Sequence, residues 1–190
     1  MPAERAYVPR MSMPDLMTAD ELLHVHAPDK RVELVRGVLV VSEPPGYRHG
    51  EVTARLTKAL MDYADPRDSG RVVAGDAGFK RATSPDTVRG PDVAFIRRER
   101  LPYPSPLGYA DLAPDLVIEV VSHNDRPGEV LAKVADWITA GTQLVWVVDP
   151  ERRLARVYRH DGSETIVTRD GALDGENVLP GFSCPLAAIL

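Results

Sequence analysis

The chain has 190 residues, of which 44% are hydrophobic and 27% are charged, and its formal net charge at pH 7 is −5. This size and composition are typical of one globular domain, and the negative charge argues against a broad basic surface that binds nucleic acid nonspecifically. No apolar run approaches the roughly 20 residues of a membrane span. The single cysteine, Cys184, excludes an internal disulfide. We expect a cytoplasmic protein that has no membrane partner.

The N-terminal part of the sequence predicts an arm, a short helix and a hairpin. Residues 1–14 contain three prolines and three methionines without periodicity, which indicates a flexible arm ahead of a single domain at 15–190. Thr18 and Glu21 form a capping-box pattern at the start of a short helix. Two β-rich runs joined by a tight turn follow, at 31–35 and 38–42.

An amphipathic helix and further strands are predicted next. Apolar residues recur at three- and four-residue steps, which is typical of a helix buried along one side, and His49 stands at its start. These apolar residues are Val52, Leu56, Ala59, Leu60 and Tyr63. Three short β-rich runs, at 71–74, 78–80 and 92–96, then add strands to what we expect to be one sheet. The proline-rich run 101–108 predicts a loop, because proline cannot donate to a strand ladder.

The central part of the sequence predicts a βαβ unit. An apolar strand at 116–121 is followed by a polar turn, a helix through Trp137 and a second apolar strand at 144–148. This order implies that the two strands are parallel neighbours in a sheet that is covered on both faces. The tail predicts an antiparallel hairpin of strands 154–158 and 164–168 at one end of the sheet.

Glu119 is the residue that most needs an explanation. Five of the six residues at 116–121 are aliphatic, and a strand this apolar is normally buried on both faces. Strand alternation places Glu119 on the face shared with Val117 and Val121, near the carboxyl end of the strand, where open α/β sheets form ligand crevices. A buried carboxylate must be paired, protonated or bound to a cation. The alternatives are therefore a metal ligand and a salt bridge to a buried Arg or Lys.

Asp92 favours the first alternative, that Glu119 is a metal ligand. It stands at the start of another apolar strand, and carboxylates on two neighbouring strands form an oxygen-ligand site of the kind that Mg²⁺ or Mn²⁺ prefers. By itself, Asp92 after Pro91 is more simply a turn or capping acid. The pair of Asp92 and Glu119 is the predicted metal site.

Motifs of several other enzyme classes are absent from the sequence. It contains no GxxxxGK[ST] loop, no GxGxxG after a strand, no HExxH and no GxSxG. Nucleotide kinases, dehydrogenases, zincins and common serine hydrolases therefore lose support.

In combination, five segments resemble the Uma family of restriction endonucleases, whose superfamily is the PD-(D/E)xK nucleases. The resemblance runs from about Thr18 to the C-terminus. Its segments are Val32-Glu33-Leu34-Val35-Arg36-Gly37, Pro44-Pro45-Gly46 with His49, Pro91-Asp92-Val93, Pro114-Asp115-Leu116-Val117-Ile118-Glu119-Val120-Val121-Ser122 and Trp146-Val147-Val148-Asp149-Pro150. It implies an α/β fold with a restriction-endonuclease-like mixed β-sheet and flanking helices. It also implies a divalent-metal-dependent endonuclease that hydrolyses phosphodiester bonds in DNA.

The resemblance further implies roles for individual residues. Asp92 and Glu119 would be the ligands of Mg²⁺ or Mn²⁺, and Glu33 an additional acid. Lys133 would be the catalytic lysine. His49 would contact phosphate or position a water.

Lys133 departs from the superfamily motif, which has its lysine two residues after the second acid, where this chain has Val121. The resemblance places the lysine of this family on the following helix instead. The alternative for Lys133 is a solvated lysine that pairs with Glu129, one helical turn earlier.

Glu33 and His49 have alternatives of the same kind. Glu33 could be a surface partner of Arg31 or Arg36, and His49 an ordinary histidine at a helix start. Two other hypotheses for the whole chain therefore stay open beside the nuclease. One is a non-catalytic metal- or nucleic-acid-binding or interaction protein that retains the fold, and the other is a purely structural ion pair of Glu119 with Lys133. DNA is the expected partner of the nuclease, and a homodimer is expected by analogy with related folds.

Overall fold

Two large β-sheets, a two-stranded ribbon and four α-helices form residues 16–190, the part of the chain that the computed structural model describes. The helices are α1 (Ala19–Leu22), α2 (Tyr47–Arg67), α3 (Pro127–Thr139) and α4 (Leu186–Ile189), with a 3₁₀ turn at Arg98–Arg100. The strands are β1 (Arg31–Val35), β2 (Val38–Ser42), β3 (Gly70–Ala74), β4 (Phe79–Ala82), β5 (Thr87–Arg89), β6 (Val93–Arg97), β7 (Leu116–Val120), β8 (Leu144–Asp149), β9 (Leu154–Arg159), β10 (Glu164–Thr168), β11 (Ala172–Asp174) and β12 (Ser183–Pro185). The predicted arm at 1–14 lies outside the described residues.

The six-stranded sheet has the order β10-β9-β8-β7-β6-β3. Strands β7 and β8 are parallel, with Leu116 opposite Leu144, and the other neighbours are antiparallel. Helix α3 is the crossover between these two strands; it begins with Pro127, and Gly141 follows it with a φ of 103°, a left-handed conformation typical of a helix end. The predicted βαβ unit and the hairpin of β9 with β10 are both confirmed.

Each face of this sheet packs against a different long helix, and β7 shows why. Its side chains alternate between the two faces. Leu116, Ile118 and Val120 join a large apolar core with α2 and the C-terminal segment, whereas Val117 packs with Trp137 of α3. Glu119 shares the face of Val117, as predicted, so its carboxylate lies beneath α3.

The second sheet, of order β2-β1-β5-β4, corrects the expectation of a single sheet. Strand β5 joins this sheet through Leu34 and Val88, and its three residues are too few for a periodic pattern to predict it. The sheet packs on α1 and reaches α3 through an edge-to-face contact of Phe79 with Trp137, at 6.2 Å between ring centroids. This contact brings β1 and β5 beside the face of β7 that carries Glu119.

Several local predictions are confirmed and a few boundaries move. The capping box of Thr18 with Glu21 is present, and the hairpin turn of β1 and β2 has positive φ values at Arg36 (51°) and Gly37 (76°), as a two-residue hairpin loop requires. The strand predicted at 78–80 runs over Phe79–Ala82. The sequence reading missed β5, β11, β12 and α4, all of which are four residues or shorter. Within residues 16–190, no helix is both long and apolar enough to cross a membrane.

Candidate active site

Strand register brings the two predicted metal ligands together. Strands β6 and β7 are antiparallel neighbours with Val93 opposite Ile118. Asp92 precedes Val93, and Glu119 follows Ile118, so the same register places the two acids opposite each other on one face of the sheet. Both side chains are buried, with 4% of Asp92 and 6% of Glu119 exposed.

Asp92 is surrounded by donors. Its Oδ2 accepts the backbone N–H of Val120 at 2.7 Å and lies 3.1 Å from Nε2 of His49, and its Oδ1 accepts from Nη2 of Arg31 at 3.2 Å. Burial acts to raise the pKa of Asp92, but His49, the Val120 N–H and Arg31 outweigh it and hold the pKa below its usual value. Asp92 is therefore an ionised carboxylate at neutral pH.

Glu119 has the opposite protonation behaviour. Its Oε1 accepts from the indole N–H of Trp137 at 2.8 Å, and its Oε2 lies 3.6 Å from Nζ of Lys133. Burial raises the pKa of Glu119 to about 7, and the negative charges of Asp92 and Glu33 act in the same direction. Lys133 and the Trp137 hydrogen bond oppose this rise. Without a further cation, Glu119 is only partly ionised near neutral pH.

Lys133 points into the cluster rather than along its helix. Its Nζ lies 3.6 Å from Glu119 and 3.7 Å from Oε2 of Glu33. Burial acts to lower the pKa of Lys133, but Glu119 and Glu33 outweigh it and raise the pKa above the usual value. Glu129, the alternative partner, lies 3.9 Å from Arg126 instead. Lys133 is thus a charged ammonium that faces both acids.

Glu33 pairs with Arg89, and neither Arg31 nor Arg36 is its partner. Oε2 of Glu33 accepts from Nη1 of Arg89 at 2.9 Å, and Oε1 accepts the N–H of Gly90 at 3.0 Å. Arg89 also binds Asp136 of α3, at 2.6 Å. The surface-pair alternative for Glu33 is wrong, because its partner Arg89 is buried. Arg89 belongs to β5, the strand that the sequence analysis did not predict.

Arg31 and Asp76 belong to the cluster and were missed by the sequence analysis. Arg31 contacts Asp92 and forms an ion pair with Asp76. Burial raises the pKa of Asp76, although Arg31 opposes this. The sequence could have indicated Arg31, because it lies two residues before Glu33 on β1 and so shares the face of that residue. No comparable signal existed for Asp76, which lies in the loop before β4.

The charges of this cluster do not balance. Among residues 16–190, it holds five carboxylates, of Glu33, Asp76, Asp92, Glu119 and Asp136, against the three cations of Arg31, Arg89 and Lys133, and His49 beside Asp92 is a fourth group that carries positive charge when protonated. With every carboxylate ionised and His49 neutral, two negative charges remain, which is the charge that one divalent cation neutralises. Burial raises the pKa of Glu119, and this surplus of negative charge adds to the rise.

A cavity of about 10 Å³ lies at the centre of the cluster and is lined by Arg31, Asp92, Glu119 and Lys133. This volume admits about one water-sized guest. Within residues 16–190, no three His, Cys, Asp or Glu side chains are grouped for metal binding, so a closed zinc site does not fit. Two carboxylates beside a small polar cavity do fit Mg²⁺ or Mn²⁺, which keep several waters and take few protein ligands.

Two larger openings share lining residues with this cavity. A groove of about 730 Å³ beside α2 is lined by His49, Thr53, Asp76 and Asp92. A cleft of about 470 Å³ lies at the carboxyl ends of β7 and β8, where Val121 and Asp125 line both the cleft and the central cavity. Asp92 therefore borders the groove, and the cleft adjoins the central cavity.

Comparisons with known proteins agree with this architecture. The family model "Uma2: Putative restriction endonuclease" matches residues 19–187. No curated protein matches the chain. A crystal structure described as a putative nuclease belonging to DUF820 from Anabaena variabilis shares 18% sequence identity and a TM-score of 0.81, over 91% of this chain and 97% of that chain. That likeness shows the restriction-endonuclease-like fold. Since the family model covers nearly the whole described region, the chain belongs to the Uma2 family.

Proposed function

We propose that this protein is a divalent-metal-dependent endonuclease that hydrolyses phosphodiester bonds in DNA. The observation that carries the proposal is the convergence of Asp92, Glu119 and Lys133 on one cavity of about the size of a water molecule. Membership of a family whose model is described as "Putative restriction endonuclease" supports the same conclusion. The surplus of two negative charges in the cluster supports the proposal that a divalent metal binds there.

Asp92 and Glu119 are the residues that would hold the metal. A bound Mg²⁺ or Mn²⁺ would polarise a phosphoryl oxygen and lower the pKa of a water there. Trp137 orients Glu119 through its indole N–H, and His49 orients Asp92. Such contacts fix the direction of ligand oxygens and tune the affinity for the metal.

Lys133 would stabilise the negative charge that develops on the phosphate during hydrolysis. Glu33 positions it, because the carboxylate of Glu33 lies 3.7 Å from the ammonium and is itself fixed by Arg89 and the Gly90 N–H. These contacts keep the cation charged and directed into the cavity. In this proposal Lys133 of α3 supplies the charge that the superfamily motif places two residues after the second acid, where this chain has Val121.

The test is cleavage of supercoiled plasmid DNA in the presence of Mn²⁺ or Mg²⁺. The full chain should nick the plasmid, and EDTA should stop the reaction. Glu119→Gln and Lys133→Met should lose activity. The matched control Glu129→Gln changes an exposed residue of the same type as Glu119 that lines neither the central cavity nor the groove and cleft beside it, so it should cut at the parental rate.

Cutting that survives Glu119→Gln, or that continues in EDTA, would contradict the assignment of the site. A second candidate is a non-catalytic metal-binding protein, which the surplus of carboxylates around Asp92 and Glu119 also supports. If no condition cuts DNA but Mn²⁺ raises the melting temperature of the parent and not of Glu119→Gln, a non-catalytic metal-binding protein is the better account.

A further inference from the structure

Strand β2 is an edge strand without the usual protection against pairing with another chain. Each of the two large sheets ends in two edge strands, which are β2, β4, β3 and β10. Strand β3 carries Arg71, β4 carries Lys80 and Arg81, and β10 carries Glu164. Charged residues of this kind discourage edge-to-edge association. Strand β2 has the sequence VLVVS and no charge.

Strand β2 exposes apolar side chains on both faces of its sheet. Val38 is 55% and Val40 38% exposed on one face, and Val41 is 51% exposed on the other. Valine and leucine favour extended strands, and a flat apolar edge of this kind invites another strand to pair with it. Ile166 on β10 is equally exposed, at 51%, but it is the only large exposed apolar residue on that strand.

The outer backbone groups of β2 are also free among the described residues. Val35 and Val38 close a two-residue hairpin loop, and such a closing pair is hydrogen-bonded, so Val38, Val40 and Ser42 bond to β1. Leu39 and Val41 therefore direct their N–H and C=O groups outward. Within residues 16–190, no backbone hydrogen bond from outside the hairpin reaches them.

We propose that β2 pairs antiparallel with β2 of a second copy of this chain, about a two-fold axis that passes between the two Val40 residues. Leu39 then lies opposite Val41 of the second copy, and these outward residues form the hydrogen-bonded pairs. The two sheets of four strands become one sheet of eight, which removes both exposed edges.

Charge complementarity favours a second copy over an unrelated strand. Arg36 is exposed at the hairpin turn and has no ion-pair partner within residues 16–190, whereas Glu43 stands at the other end of β2, beside Lys30. Antiparallel pairing about Val40 brings the hairpin turn of each copy, which carries Arg36, towards the far end of β2 of the other copy, where Glu43 pairs with Lys30. The hairpin is thus self-complementary at the apolar centre of β2 and at the charged residues that flank this strand.

This dimer has a consequence for the acid cluster. A two-fold axis perpendicular to the sheet keeps the same face of both copies on the same side, and Glu33 lies opposite Val40 on that face. With strand spacings of about 4.8 Å, the Cα atoms of the two Glu33 residues would lie about 14 Å apart. If the proposed nuclease activity holds, both centres face one side of a shared duplex, but the dimer itself does not depend on that activity.

The experiment combines the mass of the full chain in solution with a disulfide cross-link. Light scattering during gel filtration should show a dimer for the parent, a monomer for Val40→Lys, and a dimer for the matched control Ile166→Lys on β10. Oxidised Val40→Cys should form a disulfide-linked dimer, because opposite residues of a non-hydrogen-bonded pair have Cα atoms about 4.5 Å apart. Ile166→Cys should not, and the native Cys184 is buried.

A parent that is monomeric at every concentration tested overturns the proposal. A dimer that persists in Val40→Lys also overturns it, since the interface then lies elsewhere. Cross-linking of Val40→Cys no faster than of Ile166→Cys overturns the register. None of these results depends on DNA cleavage, so failure of this proposal is distinguishable from failure of the proposed function.

Discussion

A buried acid lies at each end of β7, and the two acids differ in how far neighbouring cations compensate their charge. At the amino end, Asp115 is 2% exposed; its Oδ1 accepts from Nη1 of Arg100 at 2.6 Å and its Oδ2 accepts the backbone N–H of Arg97 at 2.9 Å. The guanidinium of Arg97 lies 3.9 Å away as well. One carboxylate thus has two arginine partners, both of which reach solvent. This acid is satisfied without any ligand.

At the carboxyl end, acids outnumber cations. Glu119 and Asp92 share Arg31 and Lys133 with two further carboxylates, Glu33 and Asp76. The cost of burying charge is the same at both ends. A buried acid is therefore a candidate for catalysis when its neighbours leave negative charge uncompensated. Burial alone does not distinguish a catalytic acid from a structural one.

The largest expected effect separates the two aspartates by activity. Asp92→Asn should lower DNA cleavage with Mn²⁺ by on the order of 10³-fold or more, because it removes a charged metal ligand. Asp115→Asn, the same change at the other end of the sheet, should retain the parental rate per folded molecule. Plasmid nicking, normalised to the folded fraction from circular dichroism, measures both. Equal losses in the two variants would refute the distinction.

The second prediction concerns the pH dependence of stability without metal. The folded-state pKa of Glu119 is about 7, above the usual value of 4.5 for a glutamate. A raised carboxyl pKa means that the folded state binds the proton more tightly, so its contribution is complete below pH 4.5 and is lost as pH rises to 7. The free energy of unfolding should fall over this range by on the order of 3 kcal/mol at most.

Urea unfolding in EDTA at several pH values checks this loss. Asp92 does not mask it, because its lowered pKa acts only in more acidic solution. Glu119→Gln should remove most of the decline between pH 4.5 and 7 and leave the smaller fall that the raised pKa of Asp76 contributes in the same direction, whereas Glu129→Gln should keep the full decline. A parent whose stability rises over that interval would show that Glu119 is already ionised in the folded state.

The third prediction is a stability cost at the amino end of β7. Asp115→Asn leaves Arg100 and the Arg97 N–H with a weaker acceptor, so it should destabilise the fold by about 2–3 kcal/mol. The partial exposure of both arginines limits the cost. The urea midpoint of the variant, compared with that of the parent at unchanged slope, gives the number. Addition of Mn²⁺ should stabilise this variant as much as the parent.

The smallest expected effect tests the role of Trp137 in orienting Glu119. Trp137→Phe removes the indole donor to Glu119 and should weaken Mn²⁺ binding about tenfold. Trp146→Phe is the matched control, since the Trp146 indole N–H is buried and has no hydrogen-bond partner within residues 16–190. Titration of Mn²⁺ against the melting temperature compares the two variants. Equal weakening in both would mean that lost volume, and not the hydrogen bond, is responsible.

Local sequence patterns predicted much of the fold. The capping box at Thr18, the βαβ unit around α3 and the last hairpin all depend on contacts between residues close in the chain, and such contacts leave a periodic or turn signature. Strand β5 is three residues long and leaves no signature. The second sheet depends on it, so the separation into two sheets could not be predicted.

The sequence by itself determined that Glu119 lies in a buried strand, and that such an acid needs a partner, because alternation and apolar composition are local properties. It also named Asp92, from its place at the start of a second apolar strand, and Lys133, through the resemblance to a family. Only the tertiary structure decided which groups meet them. Arg31, Asp76 and Arg89 come from segments distant in sequence, and their distances to the acids depend on how β1, β5 and α3 pack. The surplus of negative charge at the carboxyl end of β7 is therefore a property of the folded chain.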